Sequence, residues 1–256
     1  ELDRKIDEKL EQSFTKTQEE YYLKEKINEI NKALGTSNFH EEEVKRFKNI
    51  LNNLNLNERT NKHILNEIEK YEHMSDNSPE ISVIRNYLDL FLTLPWNNYS
   101  KEVLDYKKVI KSLDKSHYGM EKIKDRIGDY VFLKSINENI SSPIICLVGP
   151  PGVGKTTIVE SIAESLNREF YKISVAGLND STELIGNRKT YLGSEPGKII
   201  QGLRKCNTKN PVFLIDEVDK MVKDYKGDPA STLLDILDST QNKTFVDNYL
   251  EEPFDL

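Results

Sequence analysis

The feature that most constrains this chain is a short apolar run that leads directly into a glycine-rich turn. The run is Ile144–Val148, and the turn from Gly149 to Thr156 fits the pattern G-x-x-x-x-G-K-[ST]. Glycines at these positions let backbone N–H groups turn inward around phosphate oxygens, because a Cβ would prevent such a close approach. The sequence therefore predicts a buried strand, a phosphate-binding loop, and a helix that begins near Lys155 with its positive end toward the phosphates.

The side chains of this loop point to nucleoside triphosphate chemistry. Lys155 can reach the β- and γ-phosphates of ATP, and the Thr156 hydroxyl can ligate Mg²⁺. The alternative is a glycine-rich turn that binds nothing, and the apolar run before it and the helical pattern after it argue against this. The predicted nucleotide-binding residues are Gly149, Pro150, Pro151, Gly152, Val153, Gly154, Lys155, Thr156 and Thr157.

A second apolar run, Pro211–Ile215, ends in the acid pair Asp216 and Glu217. In a phosphate-loop enzyme the first acid holds the Mg²⁺ shell, and the second activates the attacking water as a general base. Such a pair is also common at the ends of structural strands, so the prediction depends on its place roughly 60 residues beyond the phosphate loop. The sequence predicts ATP hydrolysis, with Glu217, Asp216 and Lys155 as the catalytic residues.

Composition excludes some classes of protein. Charged residues make up 31% and hydrophobic residues 37% of the 256, which suits a soluble protein with long exposed helices. The net charge of −7 gives no support to DNA binding, although local basic patches leave it possible. No apolar run approaches the ~20 residues that span a bilayer, so no membrane contact is expected. Cys146 and Cys206 are far apart in the chain and are expected to be reduced thiols.

Apolar periodicity predicts helices before the phosphate loop. Residues 2–34 are expected to form one long projecting helix, with two ordinary helices broken near residues 13–17 as the alternative. Trp96 is expected to be buried, and His40, His63 and His73 lack the spacing of metal ligands. The other expected helices are residues 40–54, residues 58–73, Pro79 to before Pro95 with Ser78 as N-cap, a short helix from the cap Asp105 to Leu113, and one ending near Ser135.

Strands and helices alternate in the second half of the chain. Strands are expected at residues 170–175 and 211–216, and helices at residues 195–206 and 228–238. The predicted fold class is α/β, a P-loop NTPase parallel sheet with helices on both faces, preceded by an all-α helical region. The predicted domains are an N-terminal helical region at residues 1–100 and an ATPase α/β subdomain at residues 101–256.

Several stretches are informative when they are taken in chain order: Tyr21–Leu23, Ala33–Gly35, Arg85–Asp89, Leu94–Trp96, His117–Glu121, Gly149–Thr156, Arg188–Gly193, Gly227–Ser231 and Tyr249–Pro253. Together they resemble the Lon family of ATP-dependent serine proteases, which belong to the AAA+ class. A phosphate loop alone indicates only an NTPase, whereas this combination is specific to Lon and covers nearly all of the chain. The family usually has Gly-His-Arg-Arg and a Gly pair where this chain has Gly186–Lys189 and Ala176–Gly177.

The resemblance implies a homo-hexameric ring that uses ATP to unfold and thread misfolded or regulatory proteins into a Ser–Lys proteolytic chamber, as in protein quality control. It implies that His117 and Tyr118 border the adenine. Tyr191 and Leu192 would form a pore loop that grips the polypeptide, and Tyr225 would lie near a second pore loop. The implied location is the mitochondrial matrix in a eukaryote and the cytoplasm in a bacterium.

Other classes of protein stay open at this point. One is an AAA+ unfoldase or clamp loader without a protease domain, and another is an ATP-regulated assembly scaffold that works through its long helix. Tyr191–Gly193 favours a threading machine over a clamp loader, and the stretches Pro95–Trp96 and His117–Gly119 favour Lon over other unfoldases. The resemblance also places the sensor strand, the helical lid, the trans-acting arginines and the protease domain after residue 256, so residues 1–256 alone are expected to be nearly inactive.

Overall fold

A computed structural model describes residues 22, 26, 30, 36–74, 78–137, 140, 143–178, 180–191, 193–221 and 228–256, with the side chains of 36–39 excepted. Most of the predicted long helix at residues 2–34 lies outside the described residues, as do Leu192 and Tyr225. These three predictions stay predictions.

Three helices follow one another from residue 36, and the starts of the second and third follow local sequence signals. They are α1 (Thr36–Asn53), α2 (Glu58–His73) and α3 (Pro79–Thr93). The Asn57 side chain accepts a hydrogen bond from the Thr60 N–H at 2.8 Å, and Ser78 caps α3 as predicted, with Pro79 at its first turn. Trp96 is buried as expected, and its Nε1 donates to the Phe91 carbonyl at 2.9 Å.

The second part of the chain carries the predicted alternation of strands and helices. The Asp105 side chain caps α4 by accepting from the Lys108 N–H at 3.2 Å. Within the described ranges, no helix is long and apolar enough to cross a membrane. The elements are α4 (Tyr106–Ser116), α5 (Glu121–Ile136), α6 (Lys155–Leu166), β1 (Phe170–Ser174), α7 (Thr182–Ile185), α8 (Lys198–Cys206), β2 (Val212–Asp216), a 3₁₀ turn Val218–Lys220, α9 (Pro229–Leu237), a 3₁₀ turn Asn242–Thr244, β3 (Phe245–Val246) and β4 (Pro253–Phe254).

Strands β1 and β2 pair in parallel, and β3 and β4 form a short antiparallel ladder. Side chains alternate between the two faces of a strand, so each face of the β1–β2 pair has its own chemistry. Tyr171 and Ile173 of β1 and their partners Phe213 and Ile215 pack into the hydrophobic core. The opposite face carries the polar residues Lys172, Ser174 and Asp216.

The predicted buried strand at Ile144–Val148 is wrong. The segment forms no strand, and Ile144 and Val148 are 66% and 93% exposed. Among the described residues, no backbone hydrogen bond links residues 143–148 to a neighbouring segment. Apolar residues provide the propensity for a strand, but the strand itself depends on a neighbour that completes its ladder. The phosphate loop is therefore attached to the β1–β2 pair through α6, which contacts both strands.

Buried apolar side chains form two clusters. One cluster joins α4, α5 and α6 around Val109, Val131 and Ile158. The other joins the α1–α3 helices to the β1–β2 pair, α8, α9 and the C-terminal segment, with Phe91 and Phe254 both fully enclosed. This larger core crosses residue 100, where the sequence predicted a domain boundary.

Candidate functional site

The glycine-rich turn leaves open space above its backbone. Gly152 and Gly154 have φ angles of +79° and +88°, in the left-handed region where a Cβ is disfavoured. No atom lies within 4 Å of the place where a Cβ on Gly152 would stand. The turn runs directly into α6, whose first residue is Lys155. An open cradle of backbone at a helix N-terminus is a suitable geometry for an anion.

The Lys155 side chain folds back over this turn. Its ammonium donates to the carbonyls of Gly149 and Pro150, each at 2.7 Å. The two carbonyl oxygens accept hydrogen bonds from the ammonium, as phosphate oxygens could. The ammonium therefore lies on the predicted phosphate-binding loop. Thr156 is half-buried in the first turn of α6, and the Thr157 hydroxyl donates to the Gly154 carbonyl at 3.0 Å.

The acid pair follows β2. Asp216 accepts the Glu217 N–H at 2.9 Å through one oxygen, and the other oxygen lies 2.7 Å from the Lys172 ammonium. The hydrogen bond and charge of Lys172 hold the pKa of Asp216 below its usual range, and the charge of Lys155 lowers this pKa further. The phosphate loop and Asp216 therefore share one electrostatic environment.

Glu217 has an unusual backbone for a residue with a side chain. Its φ angle is +62°, and a non-glycine residue in this region stores strain that is frequent at functional sites. The carboxylate forms an ion pair with Lys220 and accepts a hydrogen bond from the Ser174 hydroxyl at 3.4 Å. These contacts join the carboxylate to β1 and to the 3₁₀ turn Val218–Lys220.

The segment between α4 and α5 adjoins the phosphate loop. The Nε2 atom of His117 lies 3.0 Å from the Thr157 hydroxyl, so the structure brings His117 to the first turn of α6. Lys124 is buried and donates to Asp114 at 2.7 Å and to the His117 carbonyl at 2.9 Å, which holds this segment in place. The Tyr118 side chain is fully exposed. Contact of His117 and Tyr118 with adenine stays a prediction.

A separate loop at residues 187–195, called here the 187–195 loop, presents Tyr191. The Asn187 N–H donates to the Glu195 carbonyl at 3.1 Å and closes the loop, and Tyr191 is 64% exposed. Below the loop, the buried Asp247 carboxylate accepts the N–H groups of Gly197 at 2.7 Å and Tyr249 at 2.8 Å. The loop is therefore held by hydrogen bonds at its base, and Tyr191 offers an exposed aromatic surface.

The residues present fit a nucleotide and a divalent cation. The cradle around Gly152 is open to an anion, and Asp216 already binds a cation in the form of the Lys172 ammonium. Within the described part of the chain, no group of three or more His, Cys, Asp or Glu residues could hold a metal by itself. Mg²⁺ is commonly held by one or two carboxylates together with substrate phosphates, so a nucleotide would have to complete its coordination here.

Sequence reasoning missed the lysines that accompany the acids. Lys172 and Ser174 alternate with apolar residues in β1, and this period of two was a signal that one face of the strand is polar. Lys220 lies three residues after Glu217 and could have been noted for that spacing. The burial of Lys124 has no sequence signal, because its partners are brought together by the turn between α4 and α5.

Comparison with known proteins identifies the family. A family model described as "ATPase family associated with various cellular activities (AAA)" matches residues 145–250. The Lon protease of Clostridioides difficile (strain 630) is 48% identical over 255 residues, which are 100% of this chain and 32% of that protein. The Lon protease 1 of Bacillus subtilis (strain 168) is 43% identical over 256 residues, which are 100% of this chain and 33% of that protein. The chain belongs to the Lon family.

This result confirms the resemblance and the α/β P-loop NTPase fold that the sequence predicted. The Lon protease of Ureaplasma parvum serovar 3 is 45% identical over 257 residues, covering 100% of this chain and 32% of that protein. The chain thus spans about a third of the length of the Lon proteases it matches. These relatives are bacterial, so they do not support the predicted mitochondrial location.

Proposed function

We propose that this chain is the ATP-binding and ATP-hydrolysing motor segment of a Lon-type ATP-dependent serine endopeptidase. The observation that carries the proposal is an open backbone cradle at Gly152 with Lys155 folded over the turn, whose charge acts on Asp216 of the acid pair. It occurs in a chain that is 43–48% identical to Lon proteases over its whole length.

The phosphate loop would bind ATP through its backbone N–H groups and Lys155. The ammonium would exchange the carbonyls of Gly149 and Pro150 for β- and γ-phosphate oxygens. Thr156 and Asp216 would hold Mg²⁺, which when bound neutralises phosphate charge. For Asp216 this requires the Lys172 ammonium to give up its position on the carboxylate.

Glu217 would act as the general base. A carboxylate at the end of β2 can accept a proton from water that attacks the γ-phosphate, and hydrogen bonding from Ser174 and the ion pair with Lys220 orient it. His117 and Tyr118 would border the adenine, since His117 already contacts Thr157 in the first turn of α6.

The 187–195 loop would supply the mechanical output. Tyr191, together with Leu192, would grip a polypeptide by contact area without reading its sequence. The proposed substrates are misfolded, unfolded or regulatory proteins, and the proposed assembly is a homo-hexamer in the cytoplasm, with Tyr225 near a second pore loop. An AAA+ unfoldase or assembly scaffold without its own protease is the second candidate. The similarity to Lon proteases along the whole of this chain favours the protease.

The test is degradation of a stably folded fluorescent protein with an unstructured tail by the purified full-length protein. We expect peptide products only with ATP, and none with ADP or a non-hydrolysable analogue. Loss of fluorescence without peptide products would favour the unfoldase. Peptide products from the folded substrate at the same rate without ATP would contradict the motor role.

A further inference from the structure

Lys189 lies at the base of the 187–195 loop and reaches into the helical part of the molecule. Its side chain is only 15% exposed, and the ammonium lies 3.1 Å from a Glu251 oxygen and 3.8 Å from a Glu67 oxygen. The same ammonium lies 4.0 Å from the centroid of the Tyr87 ring. These three partners come from three separate stretches, α2, α3 and the segment just before β4. A single side chain of the loop therefore contacts both the helices and the C-terminal segment.

The low solvent exposure of Lys189 strengthens its electrostatic contacts. A mostly buried ammonium needs paired charges, and here it has two carboxylates and the face of a buried aromatic ring. Burial alone would raise the pKa of Glu67, but a hydrogen bond from Lys70 and the charges of Lys189 and Lys70 lower it below its usual value. Because Lys70 also pairs with Glu67 at 2.5 Å, loss of the Lys189 charge would not leave this carboxylate without a cation.

Other contacts of the loop base stay within the ATPase part of the chain. Asp247 accepts the Gly197 N–H at 2.7 Å, and the Asn248 N–H donates to the Ile185 carbonyl at 2.7 Å. The Asn248 side chain also donates to the Gly186 carbonyl at 3.0 Å. These bonds fix the two ends of the loop to the segment between β3 and β4. Lys189 adds an ionic contact between the loop and Glu67 of α2.

We propose that Lys189 is a positioning residue that fixes the 187–195 loop to helices α2 and α3, so that force on Tyr191 is carried by the helices as well as the ATPase core. The proposal rests on the proposed function, because it takes Tyr191 as a gripping residue. It assigns the N-terminal helices a mechanical part in threading, through a contact that depends on charge and on the reach of one side chain.

The first test measures coupling in the full-length protein, as the number of ATP molecules hydrolysed per molecule of folded substrate degraded. For Lys189→Met we expect this ratio to rise about tenfold, a typical size for coupling between sites. Partial unfolding would lower both rates together and leave the ratio unchanged, so the ratio separates positioning from a merely structural role. Lys189→Arg should keep the wild-type ratio, because a guanidinium can also bind both carboxylates and the ring.

Lys198→Met is the matched control. Lys198 forms an ion pair with Glu183 at 2.7 Å in the same part of the chain, but this pair joins α7 to α8 and does not involve the helices α1–α3. We expect the wild-type ratio in this variant. An unchanged ratio in Lys189→Met, or an equal rise in Lys198→Met, would overturn the proposal.

The second test does not depend on proteolysis. Backbone hydrogen exchange in the full-length protein should be faster at residues 187–191 in Lys189→Met than in wild type, including at the Asn187 N–H that closes the loop. If Lys189→Met does not fold, Glu251→Gln removes the nearest carboxylate, which is 39% exposed, and should shift exchange in the same direction. Equal exchange in the variant and wild type would overturn the positioning role, whether or not the wild-type protein degrades substrate. A wild type without ATP-dependent degradation would instead contradict the proposed function.

Discussion

At the scale of single residues, Lys155 has the simplest role to test. Its ammonium lies on the Gly149 and Pro150 carbonyls, where the β- and γ-phosphates are expected. We expect Lys155→Ala in the full-length protein to abolish nucleotide binding, because the variant lacks the cation that faces those phosphates. Calorimetric titration with ATP measures this, and Lys45→Ala on an exposed position of α1 is the control. Wild-type affinity in Lys155→Ala would show that the loop is assigned wrongly.

Asp247 gives a second residue-scale prediction, which concerns pH. Burial raises the pKa of this carboxyl to about 6, although backbone N–H groups of Gly197, Leu250 and Tyr249 favour its ionised form. The native state therefore binds more protons than the unfolded state between about pH 4 and about pH 6, and the Asp247 contribution to stability falls as pH rises through this window.

The measurement is the free energy of unfolding of wild type and Asp247→Asn across this pH range. Asparagine does not titrate, so the stability of wild type minus that of the variant should decrease from pH 4 to pH 7, by up to about 3 kcal/mol. A difference that stays constant or increases with pH would contradict the raised pKa.

At the scale of elements, sequence features that act within one helical turn predicted helix starts well. Features whose effect depends on a distant segment did not predict the structure. Ser78 with Pro79 and the cap Asp105 mark helix starts that the structure confirms, because the capping bond is made within one turn. Helix α8 begins at Lys198, later than the predicted residue 195, because Glu195 is still bonded to Asn187 across the loop.

The predicted strand Ile144–Val148 failed for a different reason. Its apolar run is a local property, whereas its pairing depends on a distant segment. The same distinction applies to the candidate site. The phosphate loop and acid pair were found from short motifs, but the Lys172–Asp216 and Lys189–Glu251 pairs join residues that only the fold brings together.

The prediction at the scale of elements concerns Tyr191 of the 187–195 loop. We expect Tyr191→Ala in the full-length protein to bind ATP normally and to lose degradation of folded substrates, while short unfolded peptides are still cut. The reason is that the role proposed for Tyr191 is to grip the polypeptide during threading, not to bind phosphate. Tyr99→Ala is the control, since Tyr99 is 57% exposed and lies outside the loop. Normal degradation of a stably folded protein by Tyr191→Ala would refute the gripping role.

At the scale of the whole molecule, helices α1–α3 share one hydrophobic core with the β1–β2 pair, α8, α9 and the C-terminal segment. The Tyr87 hydroxyl donates to the Leu250 carbonyl at 3.0 Å, and the buried Glu252 accepts from the Thr60 hydroxyl at 2.7 Å. His63 lies 2.7 Å from the other Glu252 oxygen. The C-terminal segment is therefore joined to α2 and α3 by direct polar contacts.

The chain alone should be a poor enzyme. An arginine supplied in trans can accelerate phosphoryl transfer by about 10³–10⁵-fold, and an open nucleotide site stays wet, which weakens its electrostatics. The chain spans about a third of the length of the Lon proteases that it matches, so we expect residues 1–256 in isolation to hydrolyse ATP much more slowly than the full-length protein. Steady-state phosphate release across a range of protein concentrations tests this, and turnover near ~1 per second, within the ordinary enzyme range, would contradict it.

The most direct test of the motor assignment is a single-turnover experiment with labelled ATP on full-length wild type and Glu217→Gln. Glutamine keeps the shape of the side chain but cannot take a proton from water, so only the proposed general base is lost. We predict that wild type converts its bound ATP to ADP and phosphate, whereas Glu217→Gln retains intact ATP. Release of phosphate by Glu217→Gln at the wild-type rate would contradict the account of this site.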